Sequence, residues 1–375
     1  MALFDDMIEP DEDDVFEDAP NIPSNGENTT HGLLPPQQNR LCIGYDETEQ
    51  KLVKLFNAGR LPHAMIFSGP TGIGKSTFAF RLARFLLTRE QGGMFSDEEI
   101  PVENLGVSLD HPAARRADTG SHADFLVIGR VFDTTKKRLS NDVPVDEVRK
   151  ITPFLRKTSA EGGWRVVIID DAQYLNRSSQ NAILKILEEP PKKTLLILIT
   201  DQAGRFLPTI RSRCQIYDFT PLTDEQMSEL IQLGGYSHLD PDLVKMFAAG
   251  RIGRVQEISE AGGDEVYDQI KSILSKLPSM DTRDAFDFSE TVGRDKKQFP
   301  LFMNMLLDYI SQNVRLAARG HTPNWPEHLT DLYTCEDWLQ RHEKIEKIVE
   351  DTSRIHLDMK QAVLEVIWAL QKDTK

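Results

Sequence analysis

Apolar residues along the chain change spacing several times, and the changes predict the elements. Leu52, Val53, Leu55 and Phe56 fall on one face of a helix over 49–57. A short apolar run, His63–Ser68, reads as a strand, and Thr77–Leu87 as a helix. Residues 89–122 are polar and irregular. Ala123–Ile128 reads as a strand and Pro144–Leu155 as a helix. Arg165–Ile169 and Leu195–Thr200 are aliphatic runs without alternation, as in strands buried on both faces. Between them Ser178–Glu189 reads as a helix stopped by Pro190 and Pro191. Strands interleaved with helices predict an α/β parallel sheet covered on both sides.

After Thr220 the strand signals stop. Asp224–Leu233, Asp240–Ala249 and Val255–Ala261 are short helix candidates separated by glycines. Longer helical patterns follow, at Gln298–Ala318, Lys344–Ile355 and Met359–Gln371. The expected organisation is an α/β domain over 40–220, a small helical domain over 221–265 and an all-helical domain over 266–375.

Composition changes the picture mainly at the start of the chain. The net charge of −15 is uneven: the first 40 residues hold ten acids and one base. With Pro20, Pro23, Pro35 and Pro36 and little apolar surface, residues 1–39 are expected to be a disordered acidic tail. The rest of the chain is nearly balanced, so nucleic-acid binding by the folded part is not excluded. No run approaches the roughly 18 apolar residues of a membrane span. No secretory signal pattern opens the chain. Cys42, Cys214 and Cys335 are far apart, which fits a reducing, cytoplasmic setting.

The chemistry concentrates after the first strand. Gly69-Pro-Thr-Gly-Ile-Gly-Lys-Ser76 satisfies G-x-x-x-x-G-K-[ST] between a strand and a helix. Gly69, Thr71, Gly72 and Gly74 would wrap a phosphate with backbone N–H groups, and Thr77 follows in the helix N-terminus. Lys75 would reach the β- and γ-phosphates, and the Ser76 hydroxyl would ligate Mg²⁺. Val166–Ile169 runs into Asp170 and Asp171. Asp170 would hold the metal through water, and Asp171 would orient an attacking water.

Two further segments are more specific. Asn176–Pro191 resembles the NALLKxLEEPP helix of bacterial clamp-loader subunits, and Leu207–Cys214 resembles their LLPTIRSRC segment. With Arg60–Ala64 and the phosphate loop, residues 41–260 resemble the bacterial clamp-loader AAA+ family, in its delta prime branch. The resemblance implies an AAA+ P-loop domain, a helical lid and a C-terminal helical collar. It also implies the cofactors ATP and Mg²⁺. The implied partners are the motor and delta subunits in a hetero-pentameric ring, the sliding clamp and primed DNA. By position, Ile43 and Gly44 flank the adenine, Thr200 is the first sensor and Arg254 the second. Arg213 is the finger that reaches a neighbour's nucleotide.

Two departures from the family matter. Its motor subunits carry four zinc-binding cysteines after the phosphate-loop helix; residues 89–122 have none, so no zinc is expected and packing alone must hold that loop. Asp171 stands where those ATPases have Glu, which draws the carboxylate back by about 1.5 Å. Nucleotide binding with slow or absent intrinsic hydrolysis is therefore expected. The nearest alternative is the motor subunit of the same loader. An interaction protein with an inert ATP site has the same sequence features. A P-loop kinase for a small molecule would leave Leu207–Cys214 and the helical C-terminus without a purpose.

Overall fold

The computed structural model describes residues 33–89, 101–108, 110–133, 138–294, 298–355 and 358–371. The acidic residues 1–32 lie outside the described residues.

Five parallel strands form the central sheet. They are β1 (Ala64–Ser68), β2 (Phe125–Ile128), β5 (Arg165–Ile169), β6 (Thr194–Thr200) and β7 (Gln215–Asp218), in the order β2-β5-β6-β1-β7. A two-stranded ribbon, β3 (Phe132–Asp133) and β4 (Arg138–Leu139), projects after β2. The period-2 geometry of strands divides the core. Met65, Phe67, Val166, Ile168, Leu195 and Ile197 join the cluster on one face. Ile66, Val167, Ile169, Leu196 and Leu198 join the cluster on the other. Both faces are covered, which is why these strands read as continuous apolar runs.

One face carries α1 (Asp46–Asn57), α2 (Lys75–Leu87) and α3 (Pro112–Asp118). The other carries α4 (Val145–Arg149), α5 (Ile151–Arg156), α6 (Arg177–Glu188) and α7 (Pro208–Arg211). Asn176 caps α6 by accepting the Ser179 N–H. A first helical cluster follows: α8 (Asp224–Leu233), α9 (Pro241–Ala248) and α10 (Ile252–Glu260). The remaining helices are α11 (Gly263–Ser275), α12 (Thr282–Gly293), α13 (Gln298–Ala318), α14 (Glu327–Thr330), α15 (Cys335–Ile355) and α16 (Met359–Leu370). Their apolar faces continue the core of the α1–α2 side.

Several sequence expectations need correction. The single helix expected over 144–155 is two, α4 and α5, meeting at Lys150. Pro153 lacks an N–H for the Arg149 carbonyl, so it is accommodated only in the first turn of a new helix. The irregular stretch before β2 contains α3, whose apolar face is three alanines. Packing alone does not hold the loop at 101–108. Glu49 accepts the Leu105 N–H at 2.8 Å, and the Asn57 amide pairs with both backbone groups of Val102 at 2.9 and 3.1 Å.

The tail expected to be disordered through residue 39 is ordered from Leu33. Pro35 closes a turn by accepting the N–H groups of Gln38 and Asn39, and the buried Arg84 binds the carbonyls of Gln37 and Asn39.

Candidate functional site

β1, β5 and β6 end on the same side of the sheet, and the loops after them enclose a cleft of about 690 Å³ open to solvent. Such crevices at the carboxyl ends of parallel strands are the usual ligand sites of α/β sheets. Thr71, Gly72, Gly74, Lys75, Ser76 and Thr77 line it from the phosphate loop. Asp170 and Asp171 line it from the end of β5, and Thr200 and Asp201 from the end of β6.

Register explains the convergence. β1 and β6 run in parallel with Ser68 beside Thr200, and β5 and β6 with Ile169 beside Leu198. The Gly69 N–H bonds the Thr200 carbonyl at 3.2 Å, so the phosphate loop leaves the sheet beside that threonine. Thr200 is buried, and its hydroxyl accepts the Gln202 N–H at 3.0 Å, which leaves its own proton to donate.

The Ser76 hydroxyl donates to Asp170 at 3.0 Å, joining the loop to the strand end. Burial and the neighbouring Asp171 raise the Asp170 carboxyl above its ordinary range, against the Ser76 hydroxyl and the Asp171 N–H. A cation at that oxygen would reverse the shift. Lys75 donates to the carbonyls of Gly69 and Pro70, both at 2.7 Å. Burial lowers its ammonium below the ordinary lysine value, with Asp170, Asp201 and Asp171 opposing. A phosphate would compete with those two carbonyls for the same protons. A hydroxyl and a carboxylate in contact are oxygen donors of the kind Mg²⁺ takes, with water and phosphate oxygens completing the set.

Asp171 sits in the left-handed region, with φ 53°. Its Oδ2 accepts from Arg130, and Gln173 holds Oδ1 at 3.1 Å. Neither Arg130 nor Gln173 was legible as a site residue, because no motif includes them. Their one signal is position: Arg130 follows β2, and β2 pairs with β5, so it arrives beside the strand-end acids.

The other expected residues divide. Ile43 lines a smaller apolar cavity beside the cleft, with Leu33, Leu222, Leu230 and Ile252. Gly44 lines neither cavity and backs onto Leu222 and Gln226. Gly69 does not line the cleft; its carbonyl is turned to Lys75. Arg213 follows α7, pairs with Glu188 at 3.1 Å and donates to the Thr209 carbonyl at 3.0 Å. It is half-exposed and away from its own chain's cleft.

Arg254 is not brought to the cleft. α10 lays its N-terminus on the phosphate loop, where the Gly253 N–H bonds the Gly72 carbonyl at 2.8 Å. That approach requires glycine, since a Cβ on residue 253 would stand 2.9 Å from the Gly72 Cα. Ile252, Gly253 and Gln256 face the cleft, and at 100° per residue Arg254 falls on the opposite side. Its guanidinium pairs instead with Glu257 at 3.3 Å and with Asp308 of α13 at 3.5 Å.

Comparison with known proteins agrees with this architecture. The family model described as DNA polymerase III, delta subunit, matches residues 44–223. The DNA polymerase III subunit delta' of Escherichia coli K12 is 32% identical over 172 residues, 46% of this chain and 46% of that protein. The delta' subunit of Pseudomonas aeruginosa is 34% identical over 152 residues, 40% and 41% of the two chains. That of Bacillus subtilis is 27% identical over 237 residues, 62% and 64%. The chain thus spans about half the length of the first curated relatives it matches. Over residues 44–223, a little under half of the chain, it is similar to the delta' subunits of DNA polymerase III, on an α/β fold with a parallel sheet and a phosphate loop.

Proposed function

We propose that the chain binds ATP with Mg²⁺ in the cleft and acts as the stator of a clamp loader, donating Arg213 to the nucleotide of a neighbouring subunit. The observation that carries the nucleotide reading is the Ser76–Asp170 contact at 3.0 Å, which brings a phosphate loop and a strand-end acid to one point. Magnesium bound there would neutralise charge on the β- and γ-phosphates. The chain's own groups do the rest. The loop N–H groups and Lys75 hold the phosphates, and Thr200 supplies a donor at their far end. α10, seated on Gly72, carries the first helical cluster as a lid over the nucleotide. The C-terminal helices then serve as the collar joining the motor and delta subunits of a hetero-pentameric ring. The ring's work is placing the sliding clamp on primed DNA.

The hold of Arg130 on Asp171 supports slow hydrolysis by this subunit, because a carboxylate engaged by a guanidinium is not free to take a proton from water. Arg213 is suited to act in trans: it lies outside its own cleft on an exposed turn, and Glu188 is a partner that a phosphate can displace.

The test has two stages. Fluorescent ATP titrated with Mg²⁺ into the full chain should bind saturably, and Lys75→Ala should remove binding. Reconstitution with the motor and delta subunits, clamp and primed DNA should then give DNA-stimulated ATP turnover that Arg213→Ala lowers by about 10³-fold or more, as for fingers in other phosphoryl-transfer systems. Assembly with unchanged turnover would remove Arg213 from the mechanism. Failure of the wild-type chain to join the assembly would remove the stator reading.

A further inference from the structure

Residues 33–39 lie upstream of the stretch that the family model matches, yet Leu33, Leu34, Pro36 and Asn39 all line the nucleotide cleft. One end of this segment is fixed firmly. Arg84 of α2 is buried; its Nη1 donates to the Gln37 carbonyl at 2.8 Å and its Nη2 to the Asn39 carbonyl at 2.9 Å. Nη1 also reaches Asp118 at 3.2 Å, and Arg40 pairs with the same carboxylate. Releasing the two carbonyls would leave the buried guanidinium with Asp118 alone and its other N–H groups unpaired, which is costly. α2 begins at the phosphate loop, so the helix that presents Lys75 and Ser76 also holds the base of this segment.

Pro35 and Pro36 restrict the backbone between the two ends, and the Pro35 carbonyl closes the turn. The far end is held lightly. The Leu33 N–H donates to the Tyr236 hydroxyl at 3.1 Å, beyond α8 in the helical cluster. Leu33 reaches the smaller apolar cavity as well as the cleft, and Leu34 is 56% exposed at the rim. The segment therefore crosses the cleft from the phosphate-loop helix to the helical cluster, anchored by a buried cation at one end and by one neutral hydrogen bond and the packing of Leu33 at the other.

We propose that residues 33–39 are a strap that retains bound nucleotide, opening at Tyr236 and hinging at Arg84. This rests on the nucleotide reading above and adds a control on release. A nucleotide leaving the cleft has to pass the strap, so its dissociation rate follows the Leu33–Tyr236 contact and the apolar contacts of Leu34. A neutral hydrogen bond of ordinary strength changes such a rate by about fivefold.

The experiment uses the full chain with Mg²⁺ and a fluorescent ATP analogue, chased with excess ATP in stopped flow. Tyr236→Phe removes only a hydroxyl, and Leu34→Ser alters an exposed side chain, so neither threatens the core. Each is expected to speed dissociation about fivefold, and in the wild type nucleotide is expected to slow amide exchange across 33–39. Analogue binding with unchanged or slower dissociation in both variants overturns the strap and leaves the nucleotide reading standing. Unchanged exchange of 33–39 on binding also overturns the strap. No binding by the wild type overturns both.

Discussion

Arg130 holds a single oxygen of Asp171 with two of its nitrogens, Nε at 2.9 Å and Nη2 at 2.8 Å. The guanidinium is itself stacked on Tyr174, 4.1 Å from the ring centroid. For Asp171 to accept a proton, this contact has to break. A half-exposed charge-assisted pair of this kind accounts for about a tenfold effect after solvent screening. Arg130→Gln is expected to raise basal ATP turnover of the isolated chain about tenfold, measured as steady-state phosphate release. In an Asp171→Asn background the gain should vanish; a gain that survives there would show that Asp171 is not the base.

Arg254 makes its ion pairs toward α13 and not toward the cleft. Arg254→Ala should leave the ATP dissociation constant within about twofold, because the pair contributes only about 0.5–1 kcal/mol at an exposed seam. The same variant should slightly lower thermal stability, and Asp308→Ala should do so by a similar amount. A large loss of ATP affinity in a calorimetric titration would mean that the side chain swings to the nucleotide.

Glycine near the end of a helix usually invites replacement by alanine, with a gain of up to about 1 kcal/mol. Gly293 reverses that sign. A Cβ there would stand 2.8 Å from both the Cα and the N of Lys360, so α12 and α16 would have to part. Gly293→Ala is expected to destabilise the chain by about 1–3 kcal/mol, the ordinary cost of overpacking. Urea unfolding midpoints would decide it, and a higher midpoint would refute the close approach.

Burial alone would raise the Glu49 carboxyl. The Arg81 guanidinium and the Leu105 N–H outweigh it and leave Glu49 below its ordinary range. A carboxyl depressed in the folded state stabilises above its unfolded pKa, and that contribution is lost as pH falls through the folded value. Glu49→Gln should therefore cost about 1–2 kcal/mol near neutral pH. The gap between variant and wild type should close progressively below about pH 4. A gap independent of pH, in chemical denaturation at several pH values, would contradict the ion-pair account.

What the sequence made legible follows the range of each interaction. β5 and β6 are continuous aliphatic runs, and the phosphate loop and Asp170 are contiguous signals, so each could be read locally. β7 escaped because it is a four-residue edge strand with Gln215 and Asp218 exposed at its ends. Arg130, Arg84 and Tyr236 act on partners 41, 47 and 203 residues away, where no local pattern points. Arg254 shows the limit of motif position: the residue was legible in a helix after the sheet domain, but the rotation of α10 sends its side chain to the opposite face.

The seat of α10 on the phosphate loop is a bond between two main chains, the Gly253 N–H and the Gly72 carbonyl. Side-chain drift in either element leaves that bond intact, so it constrains the sequence only through the space kept at Gly253 and the positive φ of 82° at Gly72. The bond also ties any movement of the Gly72 peptide to α10, and through α10 to α9 and α11, which pack against it.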